Sequence, residues 1–403
     1  MAAEAVLPPA GHAAAAPRER LRALDIARGA VMVLMAIDHV RVYAGVPPGG
    51  PQPGVFLTRW VTHFCAPVFV FLAGTSAYLH GERLGGRGTL ARWLALRGAW
   101  IVLLELTVVR VAWTFNFAFE RYALAGVLWM IGWSMIALAL LVRLPTAVIG
   151  GFGLALVAGH NLTAWLSRET VGRLLAGELG GLWRILYFGG GIRVGGSATP
   201  NFLVLYSFVP WIGVMAAGYA FGALMRREPE RCRRACLAIG GAATAAFCVL
   251  RGLDLYGDRP WSASTELPAW MAFLATTKYP ASLLFLLMTL GPTILVLPLL
   301  ERWRGHIAEW LTVYGRVPFF YYLLHIPAIH LVALAIARLR SPEATPWLFG
   351  DHPMNPGPVP AGYEWSLGLL YAVTALVVVA LYFPCRWFAA LKRRRREVWL
   401  SYL

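Results

Sequence analysis

The chain has 403 residues, of which 59% are hydrophobic and only 14% charged, with a formal net charge of +16. Soluble domains carry ~25% charged residues, so a water-soluble globule of this length is excluded. Nucleic-acid binding is disfavoured as well, because the arginines cluster between apolar runs without interleaved aromatic residues, a distribution that fixes topology and meets anionic lipid headgroups. The apolar runs are near 20 residues and uniformly apolar, which fits spanning helices and not the short alternating strands of a barrel.

In chain order, residues 1–20 form an Ala- and Pro-rich tail expected to be disordered. The first apolar run follows Arg18, Arg20 and Arg22 and lacks a cleavage site, so it reads as a retained helix and not as a signal peptide. The fold class predicted is an all-α, polytopic membrane helix bundle of about ten transmembrane helices, at 27–46, 55–79, 93–116, 122–142, 145–160, 201–225, 235–251, 281–300, 312–337 and 365–389. The fifth of these is short and Gly-rich. The seventh, Ala- and Gly-rich, is expected between other helices and away from lipid. Residues 21–391 constitute the membrane domain, and 392–403 a basic tail.

Charge parity orients the bundle. With a cytoplasmic amino terminus the even loops are basic, notably Arg83, Arg87 and Arg92, the Arg226–Arg234 cluster, Arg302 and Arg304, and Lys392 onward. Both termini are therefore expected in the cytoplasm, in a multi-pass protein of the cell inner membrane. Loops 161–200, 252–280 and 338–364 then form an outer cap. The glycines between Gly189 and Gly196 lack the strand and the Lys-bearing helix of a phosphate loop and are expected to be a flexible loop. Cys65, Cys232, Cys236, Cys248 and Cys385 show neither metal-type spacing nor a disulfide pattern. No metal is expected.

Ionisable groups in a bilayer core cost several kcal/mol unless paired or functional, and the first helix concentrates them. Arg28 and His39 are eleven residues apart, which places them about 20° from each other on one helical face with a rise of ~16 Å between them. Asp25 lies one turn before Arg28, and Asp38 one turn before Arg41. One stripe thus links an anion-binding end to an acid/base end. Neighbouring side chains point about 100° apart, so Asp38 and His39 are not expected to form a direct dyad, and a group on another helix is the alternative orienter of His39.

His63, with Pro67 one turn later, suits either a second acid/base role or a hydrogen bond to a carbonyl freed by the proline. His325 is a pocket candidate, whereas His330, 140° away around the helix, is expected at the interface. Lys278 and Tyr279, just before Pro280, fit either an interfacial anchor or a holder of an anionic acceptor. Glu105 and Arg110 are five apart, and each is expected to pair with another helix.

The ordered set "RLRALDIARG", "LMAIDHVR", "THFCAPVFVFLAGTSAYL", "VLYSFVPWIGVMAAGYAFG", "TTKYPASLLFLLMTLGP" and "GRVPFFYYLLHIPAIH" resembles the acyltransferase-3 type of membrane acyltransferases. It is more closely similar to bacterial relatives of heparan-alpha-glucosaminide N-acetyltransferase. The resemblance implies transfer of an acyl group, acetyl above all, from cytoplasmic acetyl-CoA to a glycan or other small acceptor on the far side. For that chemistry the polar residues read above put Arg28 and Asp25 at the acyl-CoA end, His39, His63 and Asp38 in the acid/base work, and Lys278, Tyr279, His325 and Glu105 around the acceptor.

One departure bears on the acceptor. The lysosomal enzyme has a catalytic Asn in its first helix and a catalytic His in the following loop; here the Asn position holds His39, and the loop from Val40 to Thr58 contains no His. A transporter or proton-coupled carrier using the same charged stripe is the rival class, and a homo-oligomer is compatible with either.

Overall fold

A computed structural model describes residues 21–262, 266–353, 355–395, 397 and 400. The expected N-terminal tail, residues 1–20, lies outside them, as do most residues beyond 395. The protein is a helical membrane bundle. Helix α1 (Arg22–Tyr43) is followed by α2 (Pro53–Trp60), which opens on a proline at its first position and runs through a 3-10 turn, Val61–Phe64, into α3 (Cys65–Leu84). Gly85, at φ 71°, ends α3 in the left-handed conformation that glycine adopts without steric cost.

Helix α4 (Arg87–Leu104) passes through a π-helical turn, Glu105–Val109, into α5 (Arg110–Thr114). The chain then forms strand β1 (Ala123–Ala125), α6 (Val127–Leu141) and α7 (Thr146–Gly159). The first cap loop folds as α8 (Arg168–Ala176), the short α9 (Gly180–Trp183) and strands β2 (Gly190–Ile192) and β3 (Phe202–Val204). After it come α10 (Val209–Leu224), α11 (Pro229–Gly252) and the short α12 (Ala269–Leu274). The remaining helices are α13 (Leu283–Arg302), α14 (His306–Arg316), α15 (Pro318–Arg340) and α16 (Leu367–Arg394).

Six helical segments among the described residues are long and apolar enough to cross a membrane: Pro53–Leu84, Thr146–Trp165, Pro229–Gly252, Leu283–Arg302, Pro318–Arg340 and Leu367–Arg394. Two shorter apolar helices are α6 and α10. Helix α1 carries Arg22, Asp25, Arg28, Asp38 and Arg41, and α4 is lengthened past Leu104 only through its π turn. Neither of these two is among the six, so the described residues show six such segments and two shorter apolar helices where ten passes were expected.

Several expectations are corrected. The segments at 122–142 and 201–225 each begin as a strand, because β1 and β2 flank β3 in a three-stranded sheet, with Leu124 opposite Leu203 and Gly191 opposite Leu203 on the other side. The glycine-rich loop is therefore part of that sheet, and Gly189 and Gly190 take positive φ of 70° and 99° on entering it. The helix expected at 312–337 is two helices, since Pro318 removes a backbone donor and starts α15 afresh. Helix α16 continues through Lys392, Arg393 and Arg394, which were assigned to the tail. Helix α11 is peripheral and packs chiefly on α13, with only 22% of its apolar window buried, so its small residues serve one contact face.

Two glycines draw α14 onto α1. A Cβ on Gly29 would stand 1.8 Å from the Leu311 carbonyl oxygen, and one on Gly315 would stand 1.8 Å from that of Asp25. Small residues let helix backbones approach in lipid, where packing replaces the hydrophobic drive. This contact holds the Asp25–Arg28 end of α1 rigidly.

Two buried arginines organise the cap. Arg110 donates to the carbonyls of Tyr122 at 3.0 Å and Ala118 at 2.6 Å, and also to Asn116. Arg251 donates to the carbonyls of Ala272, Ala275, Phe273 and Arg259 at 2.7–2.9 Å. Arg110 thus bonds the loop that follows it and does not pair with another helix as anticipated. Irregular backbone is tolerated near a membrane when such donors satisfy its carbonyls.

His352, in the last cap loop, is fully buried and packs against Tyr43 and Trp347. Its Nε2 donates to the Trp347 carbonyl at 3.1 Å, and among the described residues its buried Nδ1 has no hydrogen-bond partner. Burial pushes the imidazole down to about 4, the carbonyl opposing this and His330 adding to it. A depressed histidine favours the fold above its unfolded pKa of about 6.5 and loses that contribution as pH falls towards 4, up to about 3 kcal/mol in all. Hydrogen exchange of residues 341–363 should therefore show protection at pH 7.5 that fades below pH 6. Equal protection at pH 7.5 and 4.5 would contradict this account.

Candidate active site

Three cavities lie along α1. At its N-terminal end, one of about 330 Å³ is lined by Asp25, Arg28, Ser76, His80, Arg83 and Arg226 among others. A second, of about 540 Å³, shares Arg28, Ser76, His80, Arg83 and Trp93 with it and adds Arg97, Tyr322 and Lys392. At the other end of α1, a cavity of about 550 Å³ is lined by Asp38, His39, Arg41, Arg59, Glu105, Tyr206, Lys278, Tyr279 and Tyr322. Arg28 and His39 thus face cavities at opposite ends of one helix.

The basic end is built around Asp25, which is 1% exposed. Its carboxylate lies 3.5 Å from Arg28 and 3.9 Å from Arg316. Arg28 donates to the Gly315 carbonyl at 3.1 Å and to Ser76 Oγ at 3.4 Å. Asp25, an anion, holds the guanidinium in place and does not itself attract phosphate. Arg83, Arg97, Arg226 and Lys392 add positive charge to these two cavities. The Trp93 ring is flanked by His80 at 4.4 Å and Arg97 at 5.6 Å, an aromatic face among cations. The sequence reading missed Trp93, Arg97 and His80; the spacing of Trp93 and Arg97, one turn apart on α4, was the available signal.

At the other end, His39 Nδ1 lies 2.6 Å from His325 Nε2. His325 Nδ1 lies 2.7 Å from the Tyr322 carbonyl oxygen, which can only accept, so that nitrogen carries the proton. In the neutral ring Nε2 of His325 is then the acceptor, and His39 Nδ1–H donates to it. His39 Nε2 is left with its lone pair in the residue that lines the cavity. The tautomer of a functional histidine is set by the bond its other nitrogen makes, and the chain carbonyl–His325–His39 fixes it here. Trp113 meets the His39 ring edge-on at 4.8 Å.

Asp38, assigned to the chemistry beside His39, is engaged elsewhere. It accepts from Arg41 at 3.0 Å and from Arg59 at 2.5 Å, in keeping with the 100° between successive side chains. His325 from α15 is the group that orients His39. His63 is not part of the cavity lining; its ring packs edge-on to Phe285 at 5.5 Å. His330, expected at an interface, is fully buried between Phe115 at 3.8 Å and Tyr43 at 4.6 Å.

Lys278 is 7% exposed, and its ammonium sits over the rings of Tyr279 at 5.4 Å and Tyr206 at 5.8 Å. Asp258 fixes this segment by accepting from Thr277 N at 2.8 Å and Ser282 Oγ at 2.7 Å. Glu105, on the π turn, is 3% exposed; its Oε1 is close to Gly126, and among the described residues its buried Oε2 has no hydrogen-bond partner. Among the described residues it does not pair with a charge on another helix as anticipated. Single π turns recur at functional sites because they re-aim one side chain without ending the helix. Arg59, Tyr206, Trp113 and Tyr322 belong to the lining and were not anticipated. Among the described residues no group of three His, Cys, Asp or Glu is placed to hold a metal ion.

A helical membrane bundle with a buried histidine pair at one cavity and a separate basic pocket is an arrangement compatible with a membrane-embedded group transferase. The family model described as heparan-alpha-glucosaminide N-acetyltransferase, catalytic, matches residues 20–252, more than half of the chain, and the protein belongs to that family. Acetyl-CoA is the co-substrate of the family in general. Comparison with curated proteins finds no match. The matched region contains Arg28, His39 and Glu105, whereas Lys278 and His325 lie beyond it.

Proposed function

We propose that this protein is a membrane acetyltransferase that takes an acetyl group from acetyl-CoA and passes it to an acceptor at the far end of α1. The observation that carries this reading is the unprotonated Nε2 of His39, fixed by the bond to His325 and facing a cavity. The phosphates of acetyl-CoA would lie at the Arg28 end, with Arg83, Arg97, Arg226 and Lys392, and the thioester deeper along α1.

The acceptor nitrogen or oxygen attacks the thioester carbon as its proton moves to His39 Nε2. Collapse of the tetrahedral intermediate breaks the C–S bond, and the proton leaves with the CoA sulfur as thiol. Lys278, whose ammonium lies over two aromatic faces in the cavity that His39 lines, is placed to hold an anionic part of the acceptor or the developing oxyanion. Arg28 and both termini are assigned to the cytoplasm, the cap to the outer side, and the membrane to the cell inner membrane. A sugar or similar small polar acceptor fits the polar lining, and residues 21–391 act as one catalytic domain.

The test is release of CoA thiol from acetyl-CoA by protein in nanodiscs, with glucosamine, hydroxylamine or water as acceptor. Release above an empty-nanodisc control is expected. If none of the three acceptors gives release, the acyltransferase assignment fails and the carrier class takes its place.

A further inference from the structure

The basic cavity of about 540 Å³ and the His39 cavity of about 550 Å³ have two lining residues in common, Tyr322 and Val127. Tyr322 lies on α15 and is 4% exposed, with its ring edge-on to His325 at 5.2 Å and to His39 at 6.4 Å. Val127 is the first residue of α6. The two cavities therefore meet where α15 faces the start of α6. Among the described residues the Tyr322 hydroxyl makes no hydrogen bond, while its backbone carbonyl anchors His325.

We infer that Tyr322 and Val127 form a constriction that selects the acyl group by its cross-section. The inference rests on the acyl-transfer reading above, since it needs an acyl end travelling from the basic cavity to His39. The arm of the thioester that follows the acyl group, its cysteamine and β-alanine units, is unbranched, and the gem-dimethyl pantoyl unit lies further back towards the phosphates. A passage fitted to that arm admits an unbranched acyl group of any short length but resists one branched next to the carbonyl. Selection by width and selection by volume are thereby separable, because n-butyryl and isobutyryl groups are isomers of equal size. A single methyl group that fits or clashes in a tight apolar passage is worth about ten- to two-hundredfold in rate.

The experiment is CoA thiol release from acetyl-, n-butyryl- and isobutyryl-CoA in nanodiscs with hydroxylamine as acceptor. Wild-type protein should favour n-butyryl over isobutyryl by at least about tenfold in kcat/KM. Val127→Ala and Tyr322→Leu should each bring that ratio to within about threefold of unity, and Tyr322→Phe, which keeps the ring, should preserve the wild-type ratio. Equal use of the two isomers by the wild type overturns the inference whatever the variants do. So does a ratio unchanged in Val127→Ala while acetyl transfer persists. Absence of release from all three thioesters in the wild type removes the acyltransferase reading and this inference together, which separates the two failures.

Discussion

His39→Ala is expected to lower acyl transfer by about 10²- to 10⁴-fold, the span that a positioned general base contributes. Acetyl-CoA affinity should stay within a few-fold, because Arg28 is ~16 Å away along the axis of α1. The loss should appear in kcat, since the proton moves only as the acceptor attacks. His325→Ala should give a smaller loss together with an altered pH profile. It removes the acceptor that fixes His39 Nδ1–H and leaves the ring free to turn or to take the other tautomer. A purely structural role for His325 would leave the profile's shape unchanged. His63→Ala should retain part of the activity, because that ring packs on Phe285 away from the cavity lining. Near-normal transfer by His39→Ala would remove it as the base and make His325 the next candidate.

Arg28→Ala is expected to weaken acetyl-CoA binding by about ten- to a hundredfold, the worth of one charge-assisted contact to phosphate at about 1.5–3 kcal/mol. Titration calorimetry in nanodiscs measures this directly, and the difference should shrink as salt is raised. Arg28 also braces α14 through the Gly315 carbonyl, so Arg28→Lys serves as the second variant. It keeps the charge, loses the planar fork, and should fall between wild type and alanine. Unchanged affinity in both variants would move the phosphate site to Arg83, Arg97, Arg226 and Lys392. Those side chains border the same two cavities.

Much of the fold is legible in the sequence because lipid imposes a simple rule. Backbone groups in a bilayer must be satisfied within the segment, so apolar runs near 20 residues become helices. The rule fails where protein partners replace lipid. Residues 202–204 become a strand because β1 and β2 are at hand to pair with them, and no local pattern announces those partners. Arg110 reads as a membrane charge in search of a partner on another helix, yet it, like Arg251, satisfies loop carbonyls instead. A guanidinium's five donors suit several carbonyls as well as one carboxylate.

For the site, helical periodicity alone placed Arg28 and His39 on one stripe at opposite depths, since both lie on a single helix whose geometry is fixed. It also kept Asp38 from a direct dyad with His39. Only the tertiary structure decided what completes each end. His325 is 286 positions from His39 and reaches it because α15 packs against α1. Arg59 and Lys278 enter the His39 cavity from α2 and from the loop before α13. Periodicity fixes which face of a helix a residue occupies, whereas the partner of that face is chosen by packing between helices, through close approaches such as Gly29 against Leu311, and packing depends on the whole chain at once.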